Sequence, residues 1–150
     1  MSDPTHSLLA QVARSGPDVV AVAVGGCLGA VSRLGLSELI KRYVPGMFPT
    51  ATLLVNVTGC VLLGCVMTVF AAQSPDGQPQ ASIWFSHRAR LLLTTGLLGS
   101  FTTFSTFGFE TFDLLRRDEP ILASLNIAGH VLTGLLGIWI GYLIGRHLTG

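Results

Sequence analysis

The chain has 150 residues, of which 49% are hydrophobic and only 11% charged, with a mean hydropathy of +0.61. A soluble domain carries about 25% charged residues, so the natural solvent of this sequence is lipid. A formal net charge of +1, spread over short connections, offers no basic face able to displace phosphate counterions, which excludes nucleic acid as a partner.

Residues 1–18 contain Asp3, His6, Arg14 and Asp18 without a continuous apolar run, and read as a polar leader, mobile or interfacial, rather than a cleaved signal peptide. Beyond them, a hydrocarbon core of about 30 Å needs about 20 apolar residues per helix, and the remainder has room for four spans in one domain over 19–147. Span one, 19–40, opens with VVAVAVGGCLGAV and stops at Lys41, Arg42, Pro45, Gly46 and Pro49. Span two, 50–72, carries no charge and ends at the loop QSPDGQPQ, whose prolines and glycine cannot continue a helix. Span three, 91–115, lies between His87, Arg88 and Arg90 on one side and Arg116, Arg117, Asp118, Glu119 and Pro120 on the other. Span four, 121–145, closes at Arg146 and His147, with Trp139 and Tyr142 at the depth where amphipathic rings settle.

Helices in lipid associate through small residues that let backbones approach. Gly25 and Gly29 on span one, and Gly137, Gly141 and Gly145 on span four, are packing faces of this kind. The three cysteines, Cys27, Cys60 and Cys65, sit in apolar stretches without paired spacing, which gives neither a disulfide framework nor a zinc site.

Orientation in a bilayer follows the side with more Lys and Arg. One side receives Arg14, Arg88, Arg90 and Arg146, the other Lys41, Arg42, Arg116, Arg117 and, if it reaches that interface, Arg33: four against four or five. Copies lacking a bias can insert both ways, and the simplest closed assembly of opposite inserts is an antiparallel two-fold homodimer. A single fixed topology with a poorly signalled orientation is the alternative.

Span three is the anomaly. GSFTTFSTF at 99–107 places Thr102, Thr103, Ser105 and Thr106 in the middle of an apolar segment. Two readings are open: a kinked helix whose hydroxyls bond back to their own turn, or a helix broken near the midplane, tolerated where protein or an ion pathway satisfies the freed backbone. Carbonyls at such a break are hard oxygen ligands for a cation. Phe101, Phe104 and Phe107 recur among the hydroxyls, and ring edges with O–H donors make a corridor for a small anion. Asn56 on span two and Asn126, His130 and Thr133 on span four add donors. Arg33, Glu110 and Asp113 are the ionisable groups nearest the interior, with Arg33 suited to an anion vestibule and Asp113 to the interface. No HExxH, phosphate loop or carboxylate pair in a cleft occurs, so the sequence does not read as an enzyme.

GGCLGAVSR in span one, PTATLLVNVTGCVLLG in span two and above all GLLGSFTTFSTFGFE in span three resemble the CrcB/Fluc family of fluoride channels, over about residues 25–146. The resemblance implies a multi-pass protein of the bacterial cytoplasmic (inner) membrane, an antiparallel dual-topology homodimer with two pores that pass fluoride passively out of the cytoplasm and so protect against fluoride toxicity. It also implies a structural, non-transported sodium ion on the two-fold axis, held by the carbonyls of Gly99 and Thr102. The pore would be lined by Asn56, Phe104, Phe107, Ser105, Thr106, His130 and Asn126, with Arg33 and Glu110 at the vestibule. Ser100 departs from the second glycine many relatives carry. The competing function is a dual-topology proton-coupled exporter of cationic small molecules, which needs an embedded carboxylate; Glu110 would have to serve.

Overall fold

The computed structural model describes residues 4–46, 48–73 and 86–150, with the side chains of residues 4–14 outside that description. Among these residues every element is helical: α1 Pro4–Tyr43, α2 Thr50–Ala72, α3 His87–Leu91, a π-helical stretch Leu92–Leu98, α4 Gly99–Phe101, α5 Phe104–Arg116 and α6 Pro120–Thr149. Three helical segments, Ser15–Tyr43, Thr50–Ala72 and Pro120–Thr149, are long and apolar enough to cross a membrane. Their outward faces carry large apolar side chains such as Val31, Leu132 and Leu135, all exposed, as a lipid solvent allows.

Span two matches its expected bounds, because Pro49 ends the preceding loop and the apolar run stops at Ala72. The rest of the QSPDGQPQ loop beyond Gln73 lies outside the described residues. At the leader the structure differs from expectation: from Pro4 onward the backbone is helical and continuous with span one, passing through Pro17. Helix propagation from an apolar segment costs little per residue, and Pro17 removes one main-chain donor without ending the helix. Asp18 pairs with Arg88 at 3.4 Å and with His87 at 3.7 Å, so this part of α1 and the start of the third segment lie at the same end of the molecule.

The third segment is neither one helix nor a simple kink. It enters as α3, widens into the π-helical stretch, makes one short turn as α4, becomes extended at Thr102 and Thr103, and restarts as α5. The widening coincides with the closest approach of α1. A Cβ on Gly25 would overlap the Leu92 carbonyl, one on Gly29 the Leu97 carbonyl, and one on Gly96 would lie 2.8 Å from the Val22 carbonyl oxygen. The second glycine face joins α6 to α2: a Cβ on Gly141 would overlap the Val61 carbonyl and one on Gly145 would lie 2.7 Å from Thr68 Cβ. Both glycine faces read from the sequence are therefore helix contacts at backbone distance. After α5, Asp118 takes φ 60° and the Glu119 N–H donates to the Leu114 carbonyl at 3.0 Å, closing the helix end before Pro120 opens α6.

Candidate functional site

At the break, helical geometry stops because Thr102 has ψ 157° and Thr103 has φ −149° and ψ 109°. In an unbroken helix the Thr103 N–H would donate to the Gly99 carbonyl, and the Thr106 N–H to the Thr102 carbonyl. Instead the Thr103 N–H donates to Asn56 Oδ1 at 2.8 Å, and the Thr106 N–H donates to Thr103 Oγ1 at 3.3 Å. Asn56 completes the pairing, its Nδ2 donating to the Thr103 carbonyl at 3.2 Å. A side-chain amide from α2 thus takes the place of a neighbouring strand, and Thr103 caps α5 in the manner expected of Thr at a helix start. The carbonyls of Gly99 and Thr102 are among those released from their helical donors at the break.

A cavity of about 350 Å³ opens beside the break, and it gathers residues from three of the four hydrophobic segments. Asn56, Gly99, Thr102, Phe104, Phe107 and His130 all line it, so most of the candidate residues converge. The Phe104 and Phe107 rings lie 5.5 Å apart and tilted by 53°, and Phe107 meets the His130 ring at 4.5 Å. His130 Nδ1 sits 3.0 Å from the Asn126 carbonyl oxygen. Because that partner can only accept, Nδ1 carries the hydrogen and fixes the ring. Phe104 is 83% exposed on the single chain, facing outward from the helix restart.

A second cavity, about 430 Å³, lies on the other side of Thr103 and is lined by Arg33, Thr52, Thr103, Thr106 and Glu110 among others. Thr52 Oγ1 donates to Glu110 Oε1 at 2.7 Å, while Glu110 Oε2 is buried without a partner. Arg33 has no ion-pair partner among the described residues. Asp113, by contrast, is held by Arg116 at 2.7 Å and Arg117 at 2.6 Å near the helix end, in keeping with an interfacial place.

Two candidates stand apart. Asn126 is fully buried between α5 and α6, donating to Thr111 Oγ1 at 2.9 Å, and it lines neither cavity. Helix rotation turns this amide into the core of the single chain, while the main-chain carbonyl of Asn126 supports His130. Ser105 is exposed and lines neither cavity, and its hydroxyl lies 3.4 Å from Thr103 Oγ1. Thr103, named among the span-three hydroxyls, lines both cavities, and Thr52 and Cys60, which were not expected at the site, line one each. For Thr103 a signal existed, since a Thr directly before a restarting apolar helix is an N-cap pattern. Among the described residues no three His, Cys, Asp or Glu side chains gather into a metal cluster, so a cation at the break would depend on main-chain oxygens.

Long apolar helices, glycine seams and a backbone break beside polar cavities define a multi-pass α-helical membrane protein with the features of an ion pathway. The family model described as CrcB-like protein, Camphor Resistance (CrcB), matches residues 20–142. A fluoride-specific ion channel FluC of Dehalococcoides mccartyi is 40% identical over 132 residues, covering 87% of this chain and 94% of the relative. Proteins of the same name from Nitratidesulfovibrio vulgaris and Coxiella burnetii are each 37% identical, over 85% and 87% of this chain and 96% and 99% of theirs. The chain belongs to the CrcB family.

Proposed function

We propose that the protein is a passive, fluoride-selective channel of the bacterial inner membrane, working as an antiparallel homodimer of four-span protomers and exporting fluoride from the cytoplasm. The observation that carries this reading is the 350 Å³ cavity at the break, where neutral donors and ring edges converge without a fixed cation. A small hard anion shedding water needs donors to replace it, and a full charge in low dielectric would hold it too tightly to release. Asn56, Phe104, Phe107 and His130 form this neutral stretch, while Thr106, Arg33 and Glu110 lie on the vestibule side of Thr103. The relatives' names, fluoride-specific ion channel, point to the same substrate.

A structural sodium ion fits the donor set at the break. The carbonyls of Gly99 and Thr102 have lost their helical donors, and carbonyl oxygens suit a hard cation. With a two-fold axis beside them, two chains would offer four such oxygens. When bound, the ion supplies fixed positive charge that neutralises the bared oxygens; the chain's part is to keep the break open through Asn56 and Thr103. Phe104, outward on one chain, then becomes available to a pore shared with the second chain.

The test is fluoride efflux from liposomes holding the purified protein, with a potassium potential set by an ionophore and chloride as the comparison. Expected is electrogenic efflux for fluoride and little for chloride. Flux that required a proton gradient and ignored the potential would favour the exporter.

A further inference from the structure

A third cavity, about 470 Å³, lies under the connection between α1 and α2, lined by Lys41, Phe48, Pro49, Glu110 and Arg117 among others. It shares Lys41, Ala51 and Glu110 with the vestibule, and the vestibule shares Thr103 with the cavity at the break. The three spaces therefore form a series, from the connecting loop inward to the break. On α1, Arg33, Ser37 and Lys41 stand four residues apart and all line the vestibule, so they present one ladder along a single helix face.

We infer that the loop-side cavity is an outer anteroom for the conducted anion and that Lys41 is its capture residue, passing anions along the ladder towards Arg33. The carboxylates around it leave that charge usable. Asp113 is occupied by Arg116 and Arg117. Glu110 gives one oxygen to Thr52 and has the other free of hydrogen bonds, close enough to attract Lys41 without forming an ion pair with it. Glu38 holds Lys41 at 3.0 Å, but both side chains are more than 60% exposed, and a solvent-exposed pair of this kind exchanges partners at little cost. A compact ammonium on a flexible stem can leave Glu38 for an arriving anion and return. Capture by an exposed cation raises the local anion concentration rather than the speed of the neutral stretch, so its signature lies in half-saturation.

This inference rests on the fluoride-channel reading. The experiment measures fluoride flux against fluoride concentration at low ionic strength for wild type, Lys41→Gln, Lys41→Arg and Glu38→Gln, each checked for an intact assembly by size. Lys41→Gln should raise the half-saturating concentration by about two- to fivefold with saturating flux retained, the range an exposed ion pair supports. Lys41→Arg should stay near wild type, and Glu38→Gln should lower half-saturation because the competing carboxylate is gone. In about 1 M of an inert salt these differences should collapse, since exposed charges are then screened within about 3 Å. An unchanged half-saturation in Lys41→Gln, or a loss confined to saturating flux, would overturn the capture role while leaving the channel intact. Absence of fluoride flux in wild type would instead remove the channel reading, and this inference with it.

Discussion

Replacing Asn56 tests whether its amide holds the break open or only meets the anion. In Asn56→Ala the Thr103 N–H loses its 2.8 Å acceptor and the Thr103 carbonyl its 3.2 Å donor, and Thr103 is buried. As the N-cap of α5, the Thr103 carbonyl still accepts the first helical N–H, so the orphaned group is the Thr103 N–H, at a cost of about 1–3 kcal/mol. The chain can recover part of this by letting the Thr103 N–H return to the Gly99 carbonyl, which leaves an expected loss of about 1–2 kcal/mol. That relaxation restores helix at Gly99 and withdraws a carbonyl proposed for sodium. Asn56→Ala should therefore lose thermal stability and fluoride flux together, and residual flux should need more sodium than wild type does. Asn56→Asp keeps an acceptor for the Thr103 N–H but sets a carboxylate oxygen against the Thr103 carbonyl; it should abolish flux as well. The assays are melting in detergent and liposome flux across a sodium series. Full stability and an unchanged sodium dependence in Asn56→Ala, with flux alone reduced, would refute the bracing role and leave Asn56 as a pore donor only.

Phe104→Ile keeps apolar bulk and removes the ring; because the side chain is exposed on the single chain, protomer stability should hold while fluoride flux falls, and wild-type flux in the variant would return Phe104 to packing. Balanced loop charges predict insertion in both directions, read by one-sided labelling of single reporter cysteines beside Arg14 and Arg116 in intact cells. Adding two or three lysines to the 73–80 loop should bias every copy, abolish function when expressed alone, and restore it with a partner carrying extra lysines beside Arg42. A uniformly oriented wild type that still conducts fluoride would refute the antiparallel assembly.

The α2 helix was legible because its ends are written in proline and polar residues: Pro49 and the polar run after Ala72 bound it where the apolar pattern stops. The glycine seams were legible for the same local reason, small residues at a spacing of four. The break was legible as a site of trouble, since four hydroxyls in the five residues 102–106 have no use in a plain apolar span. How it is stabilised was not. The two intramembrane asparagines look alike in sequence, yet Asn56 braces Thr103 across 47 residues of chain while Asn126 is buried against Thr111. What separates them is the rotation of each helix about its axis, which is set by glycine contacts with neighbours and not by local pattern. That the leader's backbone continues the helix was not legible for a related reason: polar composition argues against a span, but it does not stop a helix that has already been nucleated.

The freed carbonyls would link the proposed assembly to the proposed ion binding. Hydrocarbon cannot hydrogen-bond an exposed peptide oxygen, and each one left bare there costs several kcal/mol. Asn56 satisfies both main-chain groups of Thr103, and Thr102 Oγ1 donates back to the Leu98 carbonyl at 3.0 Å, but neither serves the Gly99 and Thr102 carbonyls. Gly99 and Phe104 are both exposed on the single chain, so the face carrying the break looks outward. In the proposed dimer a second copy related by a two-fold axis would bring an identical break to that face, and one shared cation would then answer four oxygens at once. Sodium and dimer should accordingly strengthen one another, because a ligand bound only by the assembled form stabilises it by mass action. Replacing sodium with a bulky organic cation during purification should stop fluoride flux and weaken the dimer on dilution, both recovering when sodium returns. Tracer sodium should not cross with fluoride. A dimer whose dissociation ignores sodium, or sodium that is carried through, would separate the two halves of this argument and leave the carbonyls to be satisfied by water in a cavity.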